Sequence, residues 1–212
     1  MKQPFSAGPR APTHPPAAAA LQQHGALRPA LGLGIASLLL FGLLYALAGT
    51  GAGRALFPAQ ANGSLIVRDG QVRGSALLAQ PFAAAGYFQP RPSAANYDPM
   101  AAAGSNLARS NPALQRRVRQ AIAAVARREG VAAAEVPGDL VTQSGAGMDP
   151  QISPQAARIQ VARVARARGL SPARVAALVQ AHTEAAQWGV FGQPRVNVLQ
   201  LNLALDARQA TP

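Results

Sequence analysis

Hydroxyl groups aside, this chain has three histidines, eight carboxylates, one lysine, nineteen arginines and no cysteine from which to build a reactive centre. Without cysteine there is no thiolate nucleophile, no thiolate metal site and no disulfide. A phosphate-cradling P-loop needs a lysine that reaches the phosphates, and the only lysine is Lys2. Gly49, Gly51 and Gly53 form a G-x-G-x-G that follows no strand, and Gly145 with Gly147 is too short for a dinucleotide fingerprint. No histidine or carboxylate falls at H-E-x-x-H or EF-hand spacing. His14 and His24 lie in a Pro-, Ala- and Gln-rich lead and read as solvated. A serine triad would have to use His182 as its base. His182 shares a helical face with Val175, Leu178, Val179 and Ala186, while Glu184 points elsewhere, so it reads as a core or interface histidine. A membrane-tethered hydrolase using His182 stays as an alternative. Asp139, Ser144 and Asp149 are close in sequence, but short polar side chains of this kind usually bond their own backbone at turns.

The formal charge of +12 raises nucleic acid or an anionic surface as partners. The arginines are spread through the chain without a dense block, as in a chain from a GC-rich genome. Stacking aromatics are sparse, which argues against nucleic acid. An anchored anionic-surface binder stays as a further alternative.

Whatever these groups do, one stretch positions them. Residues 29–53, PALGLGIASLLLFGLLYALAGTGAG, carry no charge, and Arg28 and Arg54 close them off. As a helix they would reach about 37 Å, enough to cross a bilayer core of about 30 Å with some tilt. Ala46-Leu47-Ala48 resembles a signal-peptidase site, but the lead is too long and the apolar run continues past it. A transmembrane helix over 27–56 is the expectation. Gly42, Ala46 and Thr50 recur every four residues, a small-residue flank of the kind on which membrane helices pack. Basic residues are nearly balanced across the stretch, so charge leaves its orientation open.

Residues 1–26 read as a disordered tail, and 57–212 as one domain. Asp69-Gly70 between the runs 64–68 and 71–80 predicts a hairpin. Residues 81–107 form a long irregular segment with Phe82, Tyr87, Phe88 and Tyr97. Such a segment is either pinned to the core by its aromatics or is a docking loop, with Tyr87, Phe88, Arg91 and Tyr97 as candidate contacts. Asn111-Pro112, Ser153-Pro154 and Ser171-Pro172 each set a capping side chain before a proline, and Gly130, Gly169 and Gly189 mark ends. They predict helices over 112–129, 154–168 and 172–188. Residues 140–142 suggest a short strand. Residues 196–205 read as a helix capped by Asn197. The sum is an α+β fold: one N-terminal transmembrane helix, then one compact domain with a small sheet and three to four helices.

In order and spacing, the stretches 60–65 (QANGSL), 74–82 (GSALLAQPF), 87–97 (YFQPRPSAANY), 104–107 (GSNL), 139–157 (DLVTQSGAGMDPQISPQAA) and 195–206 (RVNVLQLNLALD) resemble the C subunit of the Kdp potassium-transporting P-type ATPase. The likeness begins at Leu27; the tail before it is an extension. Gln151 stands where that family usually has a histidine, and Ala146 where it has a serine. The resemblance implies a single-pass inner-membrane subunit with a cytoplasmic N-terminus and an extracytoplasmic domain. Its implied partners are a channel-like potassium-selecting subunit, a P-type ATPase subunit and a small hydrophobic subunit. The implied role is non-catalytic: aiding assembly, and acting as a catalytic chaperone that raises the pump's affinity for ATP. ATP and potassium are handled by the complex, and no cofactor is assigned to this chain.

Overall fold

A computed structural model describes residues 25–209, and contacts divide them into two units that part between Leu56 and Phe57. The tail expected over 1–26 lies almost wholly outside the described residues, His14 and His24 included.

The first unit is one long helix, α1 (Leu27–Leu56), the single described helix long and apolar enough to cross a membrane. None of its residues is buried. Its middle, Leu38–Leu44, winds as a π-helix before α geometry resumes at Tyr45. Gly42 lies in that wider stretch and Ala46 and Thr50 beyond it, so the four-residue stripe crosses a change of pitch.

The second unit begins with a single helical turn, Pro58–Ala61, and the hairpin β1 (Leu65–Arg68) and β2 (Gln71–Ser75). Asp69 and Gly70, both at positive φ, make the turn. This is the expected hairpin, with its second strand ending sooner and a bulge between Ile66 and Val67. Next come the irregular segment and α2 (Pro112–Glu129), α3 (Pro154–Arg168) and α4 (Pro172–Ala181). Each starts as its sequence dictates. Asn111 Oδ1 accepts from Ala113 N at 2.8 Å, Ser153 Oγ from Ala156 N at 3.0 Å and Ser171 Oγ from Arg174 N at 3.3 Å. Gly130 and Gly169 close α2 and α3 in the left-handed conformation.

Three short strands, β3 (Gln151–Ile152), β4 (Thr183–Glu184) and β5 (Arg195–Asn197), form an antiparallel sheet in the order β3-β5-β4. The last helix, α5 (Val198–Gln209), follows β5 directly, and Asn197 Oδ1 accepts from Gln200 N at 3.1 Å as its cap. The core gathers Phe88, Val164, Val175, Val196, Val198, Leu201 and Leu205, all but inaccessible to solvent.

Two expectations need correction. Helix α4 stops at Ala181, not at 188. Thr183 Oγ1 donates to Val179 O at 2.8 Å and His182 Nδ1 lies 3.0 Å from Leu178 O, so side chains take up the last-turn carbonyls while Thr183 pairs with Val196. The strand expected near 140–142 is instead a 3-10 turn, Gly138–Leu140, closed by Thr142 Oγ1 on Gly138 O at 2.6 Å.

Candidate functional site

The irregular segment is held down by polar side chains that α3 and α5 send into the interior. Asn202 pairs both ways with the backbone of Phe88: Oδ1 accepts from Phe88 N at 2.8 Å and Nδ2 donates to Phe88 O at 2.9 Å. Gln160 does the same one residue on, accepting from Gln89 N at 2.8 Å and donating to Gln89 O at 3.2 Å. The two amides supply the rungs that a neighbouring strand would otherwise provide. Beside them Glu129, its side chain wholly enclosed, pairs with Arg163 Nε at 2.9 Å and Arg128 Nε at 2.6 Å. Arg163 also donates to Tyr87 O at 3.0 Å and Gln160 Oε1 at 2.8 Å. Arg168 lies 4.6 Å over the Tyr87 ring and pairs with Asp206 at 2.8 Å, while the Tyr87 hydroxyl reaches the other Asp206 oxygen at 3.2 Å. Buried charge is tolerable only when paired and hydrogen-bonded in this way.

This places the four candidate docking residues. Phe88 is a correction: it is 0% exposed, a core residue with no side-chain surface for a partner. Tyr87 is half-buried beneath Arg168. Tyr97, at φ 61, donates its hydroxyl to Arg91 O at 2.9 Å, and its backbone N–H reaches Ser93 Oγ at 3.0 Å. Burial holds the Tyr97 hydroxyl above its ordinary pKa of 10.0, with Arg128 pulling the other way. Arg91 pairs with Asp149 at 2.9 Å. The aromatics pin the segment to the core, and what stays accessible is the edges of Tyr87, Arg91 and Tyr97.

Arg91 opens onto a hollow of about 800 Å³ whose walls include Asp139, Asp149, Gln151, Ser153 and Arg195. Its acidic groups are already engaged. Asp139 Oδ2 accepts from Ser153 N at 2.6 Å, Asp149 Oδ1 from Gln151 N at 3.0 Å, and Arg195 pairs with Glu184 at 3.0 Å. Asp149 bonds its own backbone two residues on, as its residue type suggested, whereas Asp139 reaches Ser153 N fourteen residues away, and Ser153 caps α3. The hollow presents charge-balanced, pre-paired polar groups suited to recognition.

Ser144 is buried in the glycine-bearing turn that follows. This turn is no open cradle for phosphate. Ser144 N donates to Pro92 O at 3.3 Å and Gly147 N to Ser144 O at 3.3 Å. A Cβ on Gly104 would stand 2.6 Å from Gly145 O, so the chain at residue 104 packs directly against this turn.

Sequence reasoning missed two things. One is the buried set Glu129, Gln160, Arg163 and Asn202. Its signal was there in part, since Gln160 sits between Ala156 and Val164 on the buried face of α3. The other is an arm. With α4 ending early, residues 183–197 form a hairpin whose tip carries Trp188, Val190 and Phe191, exposed by 83%, 76% and 61%.

A family model described as KdpC, the K+-transporting ATPase c chain, matches residues 27–207. A potassium-transporting ATPase KdpC subunit from Xanthomonas campestris pv. campestris (strain B100) is 59% identical over 186 residues, covering 88% of this chain and 89% of that protein. The subunit so named from Shewanella putrefaciens is 56% identical over 178 residues, 83% of this chain and 89% of its own length. The one from Gemmatimonas aurantiaca is 52% identical over 194 residues, 90% and 96% respectively.

Proposed function

The chain belongs to the KdpC family, the c chain of K+-transporting ATPases, and on that footing we propose that it is a non-catalytic assembly subunit of such a pump. The observation that carries the reading is the match over 27–207, which takes in both the apolar helix and the domain. Helix α1 crosses the inner membrane once. The N-terminus is cytoplasmic, and the domain lies outside, docked beside the potassium entrance. The partners are a channel-like potassium-selecting subunit, the P-type subunit that splits ATP, and a small hydrophobic subunit. Gly42, Ala46 and Thr50 form the seam on which a partner helix packs, and the accessible edges of Tyr87, Arg91 and Tyr97 rim the docking face of the domain. A stretch of π-helix that includes Gly42 fits this role, since π turns gather at functional places.

Purifying the complex from membranes and identifying its subunits tests the membership in a working pump. The seam has its own test. Apart from its own helix backbone and chain neighbours, a Cβ added at Gly42 meets no described atom within 4 Å, so the effect of Gly42→Leu is expected on a neighbouring helix. Gly42→Leu and Ala46→Leu should each lower the yield of intact complex several-fold at unchanged expression. Normal yield from both removes the seam.

A further inference from the structure

The most exposed aromatic of the domain is on the arm between β4 and β5, and nothing in the polar hollow or the irregular segment uses it. Trp188 and Phe191 meet edge to face, ring centroids 5.9 Å apart, with Val190 between them in sequence. Their placement is set. Gln187 N donates to Phe191 O at 2.8 Å and Phe191 N to Gln187 O at 2.9 Å, and Trp188 and Gly189 turn the chain at φ 53 and 76. A bulky residue held in the left-handed region is a strained one, and such strain gathers where a side chain is displayed for use. Residues 185–191, AAQWGVF, carry no charge. The one ion pair of the arm, Glu184 with Arg195, sits at its base and leaves no free carboxylate to repel anionic headgroups.

We propose that this tip enters the interfacial layer of the bilayer that α1 crosses, holding the domain against the lipid surface at a second point. Three observations choose lipid as the occupant. Tryptophan and its aromatic neighbours favour the membrane–water boundary. Only residues 57–64, the helical turn Pro58–Ala61 among them, separate the end of α1 from β1, so the domain is tethered to that bilayer and a weak affinity suffices. And the chain after Leu56 holds sixteen arginines against eight carboxylates, which supplies the attraction to anionic lipid that interfacial binding combines with apolar burial.

The inference rests on α1 being a membrane span, and one experiment separates the two. Trp188 is the only tryptophan, so its fluorescence reports the tip alone. The full chain is placed in phosphatidylcholine vesicles with and without phosphatidylglycerol and washed at alkaline pH. Wild-type Trp188 should emit at shorter wavelength than in a Val190→Asp variant. It should be quenched by brominated lipid, and be at least threefold less quenched by acrylamide. Phosphatidylglycerol should strengthen the protection. Val190 is exposed, so the variant should keep its far-ultraviolet dichroism. Chain retained after the wash but with Trp188 as open to acrylamide as in the variant overturns the tip while leaving the anchor. Protection that appears only when the other pump subunits are added also overturns it, since the tip then docks on protein. Loss of the chain in the wash overturns both.

Discussion

Phe88 shows how much one residue's surroundings decide. By type it suits an interface as well as a core, and only the amide of Asn202 on its backbone and its place in the buried hydrophobic cluster make it a core residue. Tyr97, nine positions later, has the opposite balance: its ring is half-buried and its hydroxyl is spent on Arg91 O. Burial raises the pKa of that hydroxyl above 10.0 in the folded chain. The unfolded chain therefore gives up its proton first as pH rises, so above about pH 10 it binds fewer protons than the folded one and stability falls. Below that pH both states hold the proton, and the contribution is fully present. Tyr97→Phe should cost about 1 kcal/mol at neutral pH through the lost hydrogen bond. It should also flatten the decline in melting temperature measured between pH 9 and 11. An unchanged alkaline slope would mean that the hydroxyl is not held as the structure shows.

At the scale of elements, the domain is assembled by interlocking irregular pieces more than by its sheets, whose strands run two to five residues. One such lock is Gly147. It sits at φ 73, and a Cβ there would lie 2.9 Å from Ser93 Oγ, 3.0 Å from Ala103 O and 3.1 Å from Ala95 Cβ. Gly147→Ala thus adds backbone strain to a clash and should lower unfolding free energy by about 1–3 kcal/mol in urea titration. Gly145→Ala, with open space at its Cβ, is the control and should change little. The helix starts were legible beforehand because a capping side chain and a proline act locally, within four residues. The 183–197 arm was not. Strands of two and three residues have no period to read, and Gly189, taken as a helix end, is the turn of the arm. The buried polar residues were hidden for a further reason. Gln160 and Arg163 look like solvent-facing helix residues until the backbone of residues 85–89, some seventy positions away in sequence, is laid across them.

For the molecule as a whole, the resemblance implies an effect on the pump's affinity for ATP, and the chemistry of the chain limits the routes such an effect could take. The domain offers no lysine, and its glycine-bearing turn is packed against its own chain at Gly104. If the domain lies on the side of the membrane away from the nucleotide, the remaining route is mechanical: α1 biases a two-state arrangement of the partner's membrane helices, and the nucleotide site feels the shift. Two outcomes follow for the intact complex. A photoreactive ATP analogue should label the P-type subunit and leave this chain unlabelled. Ala46→Leu, in whatever complex still assembles, should raise KM for ATP while kcat per complex stays near wild type, because such a coupling changes the population of the binding-competent state and not the chemistry. A label on this chain would place its domain at the nucleotide. An unchanged KM in assembled Ala46→Leu complex would remove the seam from the route and leave the domain's docking face as the place to look.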